Sequence, residues 1–204
     1  FGDPVHEQFQ LNEETVWGGS PYNNTNPKAK DALPRIRQLI FEGKNKEAQE
    51  LCGPTICSPS TNGMPYQTVG SLHLDFDGIS NYNDYYRDLD IAKAIATTRF
   101  TTNGVTYTRE AYTSFPDQVL VIRLTASQKK SISFTAKYTT PYKSNVVRSI
   151  SSRKELQLSG KANDHEGIEG KVEFTALTRI ENNGGSLEAT SDSTLQVKNA
   201  NSVT

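Results

Sequence analysis

The strongest constraint on the fold is the dipeptide Asn103-Gly104, which separates two stretches of alternating apolar and polar residues. Asn-Gly in this position favours a type I′ turn, because both central residues of that turn need a positive φ. We therefore predict a β-hairpin with strands at residues 96–102 and 105–114.

The same period of two recurs along much of the chain. Leu72, Leu74 and Phe76 alternate with His73 and Asp75, which is typical of a half-buried strand. Further strands are predicted at residues 85–92, 119–125, 131–138, 155–159, 171–180, 186–191 and 194–198. Many short strands separated by turn residues predict an all-β fold, a mostly antiparallel β-sandwich of the supersandwich type, formed by residues 1–204 as one domain.

A short helical insertion is predicted near residues 27–51. Asn26-Pro27 has the form of an N-cap followed by a first-turn proline, and Gly43 is placed to end the helix. We expect Leu33-Pro34 to interrupt and restart this helix, and residues 53–65 to form an irregular loop. The residues expected to point inward are Leu33, Ile36 and Ile40 in the first helix, and Ala48 and Leu51 in a second helix at 46–51.

The charge of the chain excludes several classes of partner. Lys plus Arg number 22 and Asp plus Glu number 23, so the net charge is −1. A nearly neutral chain has no basic surface for nucleic acid or for an anionic membrane. Its apolar runs are also shorter than the roughly 20 residues that cross a bilayer. We expect neutral ligands, with neither nucleic acid nor membrane as a partner.

The cysteines and histidines do not form a metal-binding pattern. Cys52 and Cys57 have Gly and Pro between them, which is compatible with a small disulfide loop or with two free thiols. The three histidines are scattered along the chain, and no second cysteine pair completes four ligands. The sequence predicts no metal site and no cofactor.

The carboxylates do not form a convincing catalytic pair. Glu13 and Glu14 are neighbours, so they point to opposite faces of an extended chain. Asp88 and Asp90 share a face, but the adjacent Arg87 favours a solvated sheet surface. His165 beside Glu166 could transfer protons, although its surroundings favour a polar β turn. No catalytic residue is predicted within the chain.

The stretch QLNEETVWGGSPYNN, residues 10–24, is the densest in aromatic and amide groups. Trp17 and Tyr22 offer flat apolar faces, and the amides offer both donors and acceptors, a combination that suits a polyol. We expect an exposed, ordered loop here. The alternative is that Trp17 is a core or interface anchor, as a lone Trp in a β-rich domain commonly is. The candidates for a substrate cleft or a domain interface are Asn12, Glu13, Trp17 and Tyr22.

This stretch, together with PYQTVGSLHLDF, YYRDLDIAKAIATTRFTTNGVTYTREAYTSFPDQVLVIRL and NNGGSLEA, closely resembles the N-terminal β-domain of bacterial α-L-fucosidases of glycoside hydrolase family 95. The resemblance covers residues 8–200 in order and spacing. Its signature block falls on Leu11, Asn12, Glu13, Thr15, Trp17, Gly19, Pro21 and Pro27.

The resemblance implies a non-catalytic domain that packs on the protein's own C-terminal (α/α) barrel. In the family that barrel carries a Glu general acid and an Asn-activated water assisted by an Asp, and it hydrolyses terminal α-L-fucosyl (or α-L-galactosyl) linkages with inversion. None of those motifs falls within residues 1–204, so we expect this chain alone to be inactive.

Three further expectations concern the whole protein. The implied substrate is a fucosylated oligosaccharide, and we expect a periplasmic or extracellular location. Residues 202–204 have the pattern of the start of another strand, so we expect the chain to be part of a larger protein that extends beyond both ends. The competing hypotheses are a stand-alone carbohydrate-binding module and a purely structural sandwich.

Overall fold

The computed structural model describes residues 2–58, 63–143, 146–151 and 155–204. The chain divides into two compact units. The first unit comprises residues 1–13, 68–160 and 173–204, and the second comprises residues 14–67 and 161–172.

The first unit is all β. Its strands are β1 (His6–Leu11), β2 (Gly70–Phe76), β3 (Asn83–Asp90), β4 (Ile95–Thr102), β5 (Val105–Ser114), β6 (Val119–Ala126), β7 (Ile132–Thr139), β8 (Val146–Ile150), β9 (Leu156–Lys161), β10 (Glu173–Thr178), β11 (Asn182–Asn183), β12 (Ser186–Ser191), β13 (Thr194–Ala200) and β14 (Ser202–Val203). Over the described residues they form sheets of order β1-β2-β7-β13-β12, β10-β9-β8 and β11-β14-β6-β5-β4-β3. The prediction of an all-β, sandwich-like, antiparallel fold is confirmed.

The hairpin at Asn103-Gly104 is confirmed in its details. Thr102 pairs with Val105, and the two turn residues have φ of 50° and 75°. A type I′ turn needs these left-handed conformations, which Asn and Gly tolerate best. Strands β1, β8 and β11, by contrast, are not among the strands predicted from the sequence.

The core of the sandwich follows the period-two pattern of β2 and β7. Phe76 and Phe134 pair across these strands, and their ring centroids lie 5.2 Å apart. The alternating residues predicted for β2, Leu72, Leu74 and Phe76, are buried, and so are Ile132, Phe134 and Ala136 of β7. Because alternate residues of a strand share one face, this burial places one side of the sheet against the core.

A buried ion pair fixes the N-terminal segment to the same unit. Arg109 of β5 and Glu7 of β1 are 4% and 1% exposed, and Arg109 Nη1 lies 3.2 Å from Glu7 Oε2. Arg109 also donates to the carbonyls of Asp3 and Pro4, at 2.7 and 2.5 Å. Its guanidinium lies 3.9 Å from the ring centroid of Phe76. Burial lowers the pKa of Arg109, an effect that the charge of Glu7 opposes. Every charge in this cluster therefore has a partner.

The second unit contains the helices α1 (Ala29–Phe41) and α2 (Asn45–Ile56). They pack on each other through Ile36, Leu39 and Ala48, with Leu51 beside them. The inward positions predicted for Ala48 and Leu51 are confirmed. Leu33 and Ile40 are instead 38% and 51% exposed, because the buried stripe of α1 is formed by Ile36 and Leu39.

The helix boundaries differ from the prediction. Helix α1 begins at Ala29, two residues after the predicted start at Pro27. The side chain of Asn26 lies just before the helix, where its Oδ1 accepts the backbone N–H of Lys28 at 3.0 Å. Pro34 lies inside α1 and does not interrupt it, since the residues after it are fixed by packing on α2. Gly43, with φ of 74°, follows the helix as predicted.

The predicted loop at 53–65 was wrong for residues 53–56. Helix α2 continues through them with Pro54 inside it. Residues 59–62 of that prediction lie outside the described part of the chain.

Candidate functional site

The segment of residues 14–20, here called the Trp17 loop, is anchored by backbone hydrogen bonds. The N–H of Gly18 donates to the carbonyl of Pro65 at 2.9 Å, and the N–H of Gln67 donates to the carbonyl of Val16 at 2.9 Å. Trp17 thereby forms an isolated β-bridge with Tyr66. The loop is ordered, as the sequence predicted, and a second extended segment supports it.

A third segment of the same unit, residues 161–172, supports the loop from another side. Gly19 donates to the carbonyl of Asn163 at 2.8 Å and accepts from the N–H of Lys171 at 3.1 Å. The side chain of Gln67 links the two segments that hold the loop, because its Oε1 accepts the N–H of Asn163 at 3.1 Å. Both hydrogen-bonding groups of the Gly19 backbone are therefore used.

The two glycines of the loop are needed for close packing. Gly19 has φ of 66°, and a Cβ there would collide with Sδ of Met64. A Cβ at Gly18 would lie 3.1 Å from Cγ of Pro65. Both glycines are buried. Gly18-Gly19 thus allows the backbone to pack closely against residues 64–67 and 161–172.

Trp17 presents its ring outward. Its side chain is 45% exposed, so the interpretation of Trp17 as a core residue is wrong for this unit. The indole Nε1 donates to the carbonyl of Glu14 at 2.7 Å. Because the N–H is used inside the loop, the ring faces are what Trp17 offers to a partner.

Tyr66 completes an aromatic pair with Trp17. The two ring centroids lie 5.3 Å apart, the planes meet at 69°, and Tyr66 is 43% exposed. Two exposed rings at a steep angle form an apolar corner, which suits the C–H face of a sugar ring or an apolar side chain of another protein surface. Tyr66 was not predicted as a site residue. The sequence signal that could have indicated Tyr66 was its position just before the alternating stretch that contains Leu72, Leu74 and Phe76.

The other sequence candidates are divided between the units. Tyr22 is half-buried in the second unit, whereas Asn12 and Glu13 are exposed and belong to the first. That all four line a single cleft or interface remains a prediction.

Two of the described carboxylates, Glu7 and Asp90, are engaged by hydrogen bonds within the protein. Glu7 is the buried acid, and its Oε1 accepts the N–H of Gly2 at 2.6 Å while its Oε2 faces Arg109. Backbone hydrogen bonding from Lys93 lowers the pKa of Asp90, so this carboxyl stays ionised. Asp90 is therefore not suited to donate a proton near neutral pH.

The His165 segment forms the predicted turn. His165 and Ile168 exchange backbone hydrogen bonds of 2.9 and 2.8 Å. Glu166 and Gly167 between them have positive φ of 45° and 82°. A tight two-residue turn explains the polar composition of this stretch.

Among the described residues, no group of three or more His, Cys, Asp or Glu side chains is arranged to hold a metal ion. Cys52 and Cys57 are free thiols. Within the same residues, neither helix has the length and apolar character needed to cross a membrane.

The first unit is sandwich-like and all β, the second unit carries an exposed aromatic corner, and comparison with known proteins identifies the family of the chain. The model of the family described as "Glycosyl hydrolase family 65, N-terminal domain" matches residues 1–204. The chain belongs to this family.

Similar proteins are α-fucosidases from a plant and from fungi. Alpha-L-fucosidase 2 of Arabidopsis thaliana is 30% identical over 98% of this chain and 26% of its own length. Probable alpha-fucosidase A of Aspergillus oryzae is 29% identical, and that of Aspergillus niger 31% identical, each over 62% of this chain. The matched regions are 18% and 16% of those two proteins, so the chain spans about a quarter or less of its relatives. The resemblance to the N-terminal domains of α-L-fucosidases is confirmed. The assignment to glycoside hydrolase family 95 and the bacterial source remain predictions.

Proposed function

We propose that this chain is the non-catalytic N-terminal domain of an α-L-fucosidase. The observation that carries the proposal is the match of 98% of the chain to 26% of an Arabidopsis α-L-fucosidase. Most of that relative lies outside the match, which leaves room for a separate catalytic domain. The longer polypeptide implied in this way is called the parent below.

The parent hydrolyses terminal α-L-fucosyl, or α-L-galactosyl, linkages of fucosylated oligosaccharides with inversion of the anomeric centre. Its chemistry takes place on a C-terminal (α/α) barrel, which is the partner of this domain. The carboxylates described above support this division of labour, because Glu7 is engaged by Gly2 and Arg109 and the pKa of Asp90 is lowered. We also propose a periplasmic or extracellular location.

The Trp17 loop lends its aromatic corner to the substrate cleft. Backbone bonds on two sides fix the loop before any ligand arrives. A preordered contact surface loses little conformational entropy on binding, so its contacts contribute more of their free energy to affinity. Trp17 then stacks on the glycan through its ring face.

A stand-alone carbohydrate-binding module is the alternative function. The exposure of Trp17 and Tyr66 is compatible with it. The match to only part of larger α-fucosidases favours the accessory domain instead.

The proposal is tested by measuring release of fucose from a 2′-fucosylated oligosaccharide by the parent and by the 204-residue chain. We expect turnover by the parent and none by the isolated chain. Turnover by the purified chain would show that it contains a catalytic site. A parent without activity on any α-L-fucoside or α-L-galactoside would overturn the assigned reaction.

In the same comparison, binding of the oligosaccharide is measured by calorimetry. An accessory domain binds the glycan weakly or not at all without the barrel. Tight binding by the isolated chain, lost in Trp17→Ala, would favour the binding-module alternative.

A further inference from the structure

A groove of about 780 Å³ lies within the first unit. Its floor includes Leu72 and Phe134 from the inner face of the five-stranded sheet. Residues 118–122 of the β6 side and residues 175–178 of β10 line it from the two other sheets, and Thr204 also lines it. This groove is called the strand slot.

Strand β6 uses only part of its edge on the slot side. Strand β14 pairs with it at Thr125 and Leu124. Among the described residues, no strand pairs with residues 119–123 on that side, although β5 pairs with β6 along its full length. An unpaired edge is a template for an additional strand.

One hydrogen bond at the end of β6 shows to which side each backbone N–H of this strand points. Ser127 donates to the carbonyl of Thr106 in β5 at 2.9 Å. Because the direction alternates along an antiparallel strand, Arg123 and Val121 point their N–H groups toward β5. Leu120 and Ile122 then point theirs into the slot.

Thr204 already has the bonding pattern of a strand residue. It donates to the carbonyl of Glu181 at 2.9 Å and accepts the N–H of Glu181 at 2.8 Å. By the same alternation, the residue that follows Thr204 directs its backbone groups toward β6. Extending the register of Val203 with Leu124 places that residue opposite Ile122.

The exposure of the apolar side chains along β6 shows which part of the strand has no neighbouring element among the described residues packed on it. Leu124 and Leu120 share one face of the strand, yet Leu124 is 3% exposed and Leu120 is 40% exposed. Leu177 of β10 is 61% exposed. Leu124 and Leu120 differ in exposure because β14 covers β6 only at the end of the slot that contains Leu124.

We propose that the segment following Thr204 in the parent forms a strand in the slot, pairing with β6 on one side and β10 on the other. The inference rests on the proposed function, in that the chain continues into a longer polypeptide. The new strand would join the six-stranded and three-stranded sheets into one. Its first and third residues face the floor beside Ile122 and Leu120, so these residues are apolar.

Amide hydrogen exchange, resolved to single residues, tests the inference in the parent and in the 204-residue chain. We expect the amides of Leu120 and Ile122 to exchange roughly 100-fold or more slowly in the parent than in the shorter chain. Val121 and Arg123 are the matched controls, since they bond to β5 and are protected in both proteins.

The parent alone is sufficient if the shorter chain does not fold. Exchange at Leu120 and Ile122 as fast as in exposed loops of an active parent would overturn the strand while leaving the proposed function intact. Protection in the shorter chain that increases with its concentration would assign the slot to a second copy and would also overturn it.

Discussion

Replacing Arg109 by Met should destabilise the first unit by about 3–5 kcal/mol, the usual cost of leaving a buried charge without its partner. Arg109 contacts the Glu7 carboxylate at 3.2 Å and donates to two backbone carbonyls. Met fills most of the same space against Phe76, so loss of packing contributes little. The carboxylate of Glu7, 1% exposed, is then left without a cation.

The assay is urea unfolding at pH 7 followed by circular dichroism, with two comparison variants. Arg99→Met removes an exposed arginine from the adjacent strand and should cost less than about 0.5 kcal/mol. The double variant Glu7→Gln/Arg109→Met should recover about 2 kcal/mol of the single-variant loss, because no charge remains buried. A cost below about 1 kcal/mol for Arg109→Met, or a double variant no more stable than Arg109→Met, would refute the reasoning.

Two further predictions concern the Trp17 loop and the Asp75 carboxyl. Gly19→Ala should cost about 2–4 kcal/mol, from a left-handed φ plus displacement of Met64. Gly78→Ala, with φ of 77° and open space around it, should cost only about 1–2 kcal/mol in the same unfolding assay; equal costs would contradict the packing role of Gly19. Burial raises the pKa of Asp75, but hydrogen bonds from Lys137 and His6 outweigh it and hold the pKa below its usual value. A carboxyl with a lowered folded pKa stabilises the fold above its unfolded pKa of about 3.9 and loses that contribution as pH falls through the folded pKa. Asp75→Asn should therefore lower the free energy of unfolding at pH 7 and converge with wild type near pH 2, and a constant difference across that range would contradict it.

The strands could be predicted from the sequence because their signals are local. The alternation of Leu72, Leu74 and Phe76 and the turn at Asn103-Gly104 need no knowledge of the rest of the chain. The structure confirms both the buried face and the pairing of Thr102 with Val105.

The helices were predicted less well because tertiary packing decided their limits. Pro34 and Pro54 are ordinary stop signals, yet both lie inside helices. The inner face of α1 is set by contact with Ala48 of α2, a contact that the spacing of Leu33, Ile36 and Ile40 did not reveal.

The candidate site was only half visible in the sequence. The composition of residues 10–24 indicated Trp17, but its partner Tyr66 lies 49 positions away and was not predicted. The same holds for Glu7 and Arg109, which are 102 positions apart. Such pairings depend on the sheet topology, which the local pattern does not specify.

The central claim, that the Trp17 loop serves the active site of an α-L-fucosidase, is tested most directly by kcat/KM of the parent carrying Trp17→Ala. A stacking residue of this kind contributes about 1.4–2 kcal/mol, so we predict a fall of about 10- to 30-fold on a 2′-fucosylated oligosaccharide. Asn12→Ala should lower kcat/KM in the same direction through lost hydrogen bonds. Phe115→Ala, which removes an 86% exposed aromatic from the first unit, should leave kcat/KM unchanged. Wild-type kcat/KM in both Trp17→Ala and Asn12→Ala would contradict the claim, and a lower Tm without a kinetic change would leave the loop a purely structural element.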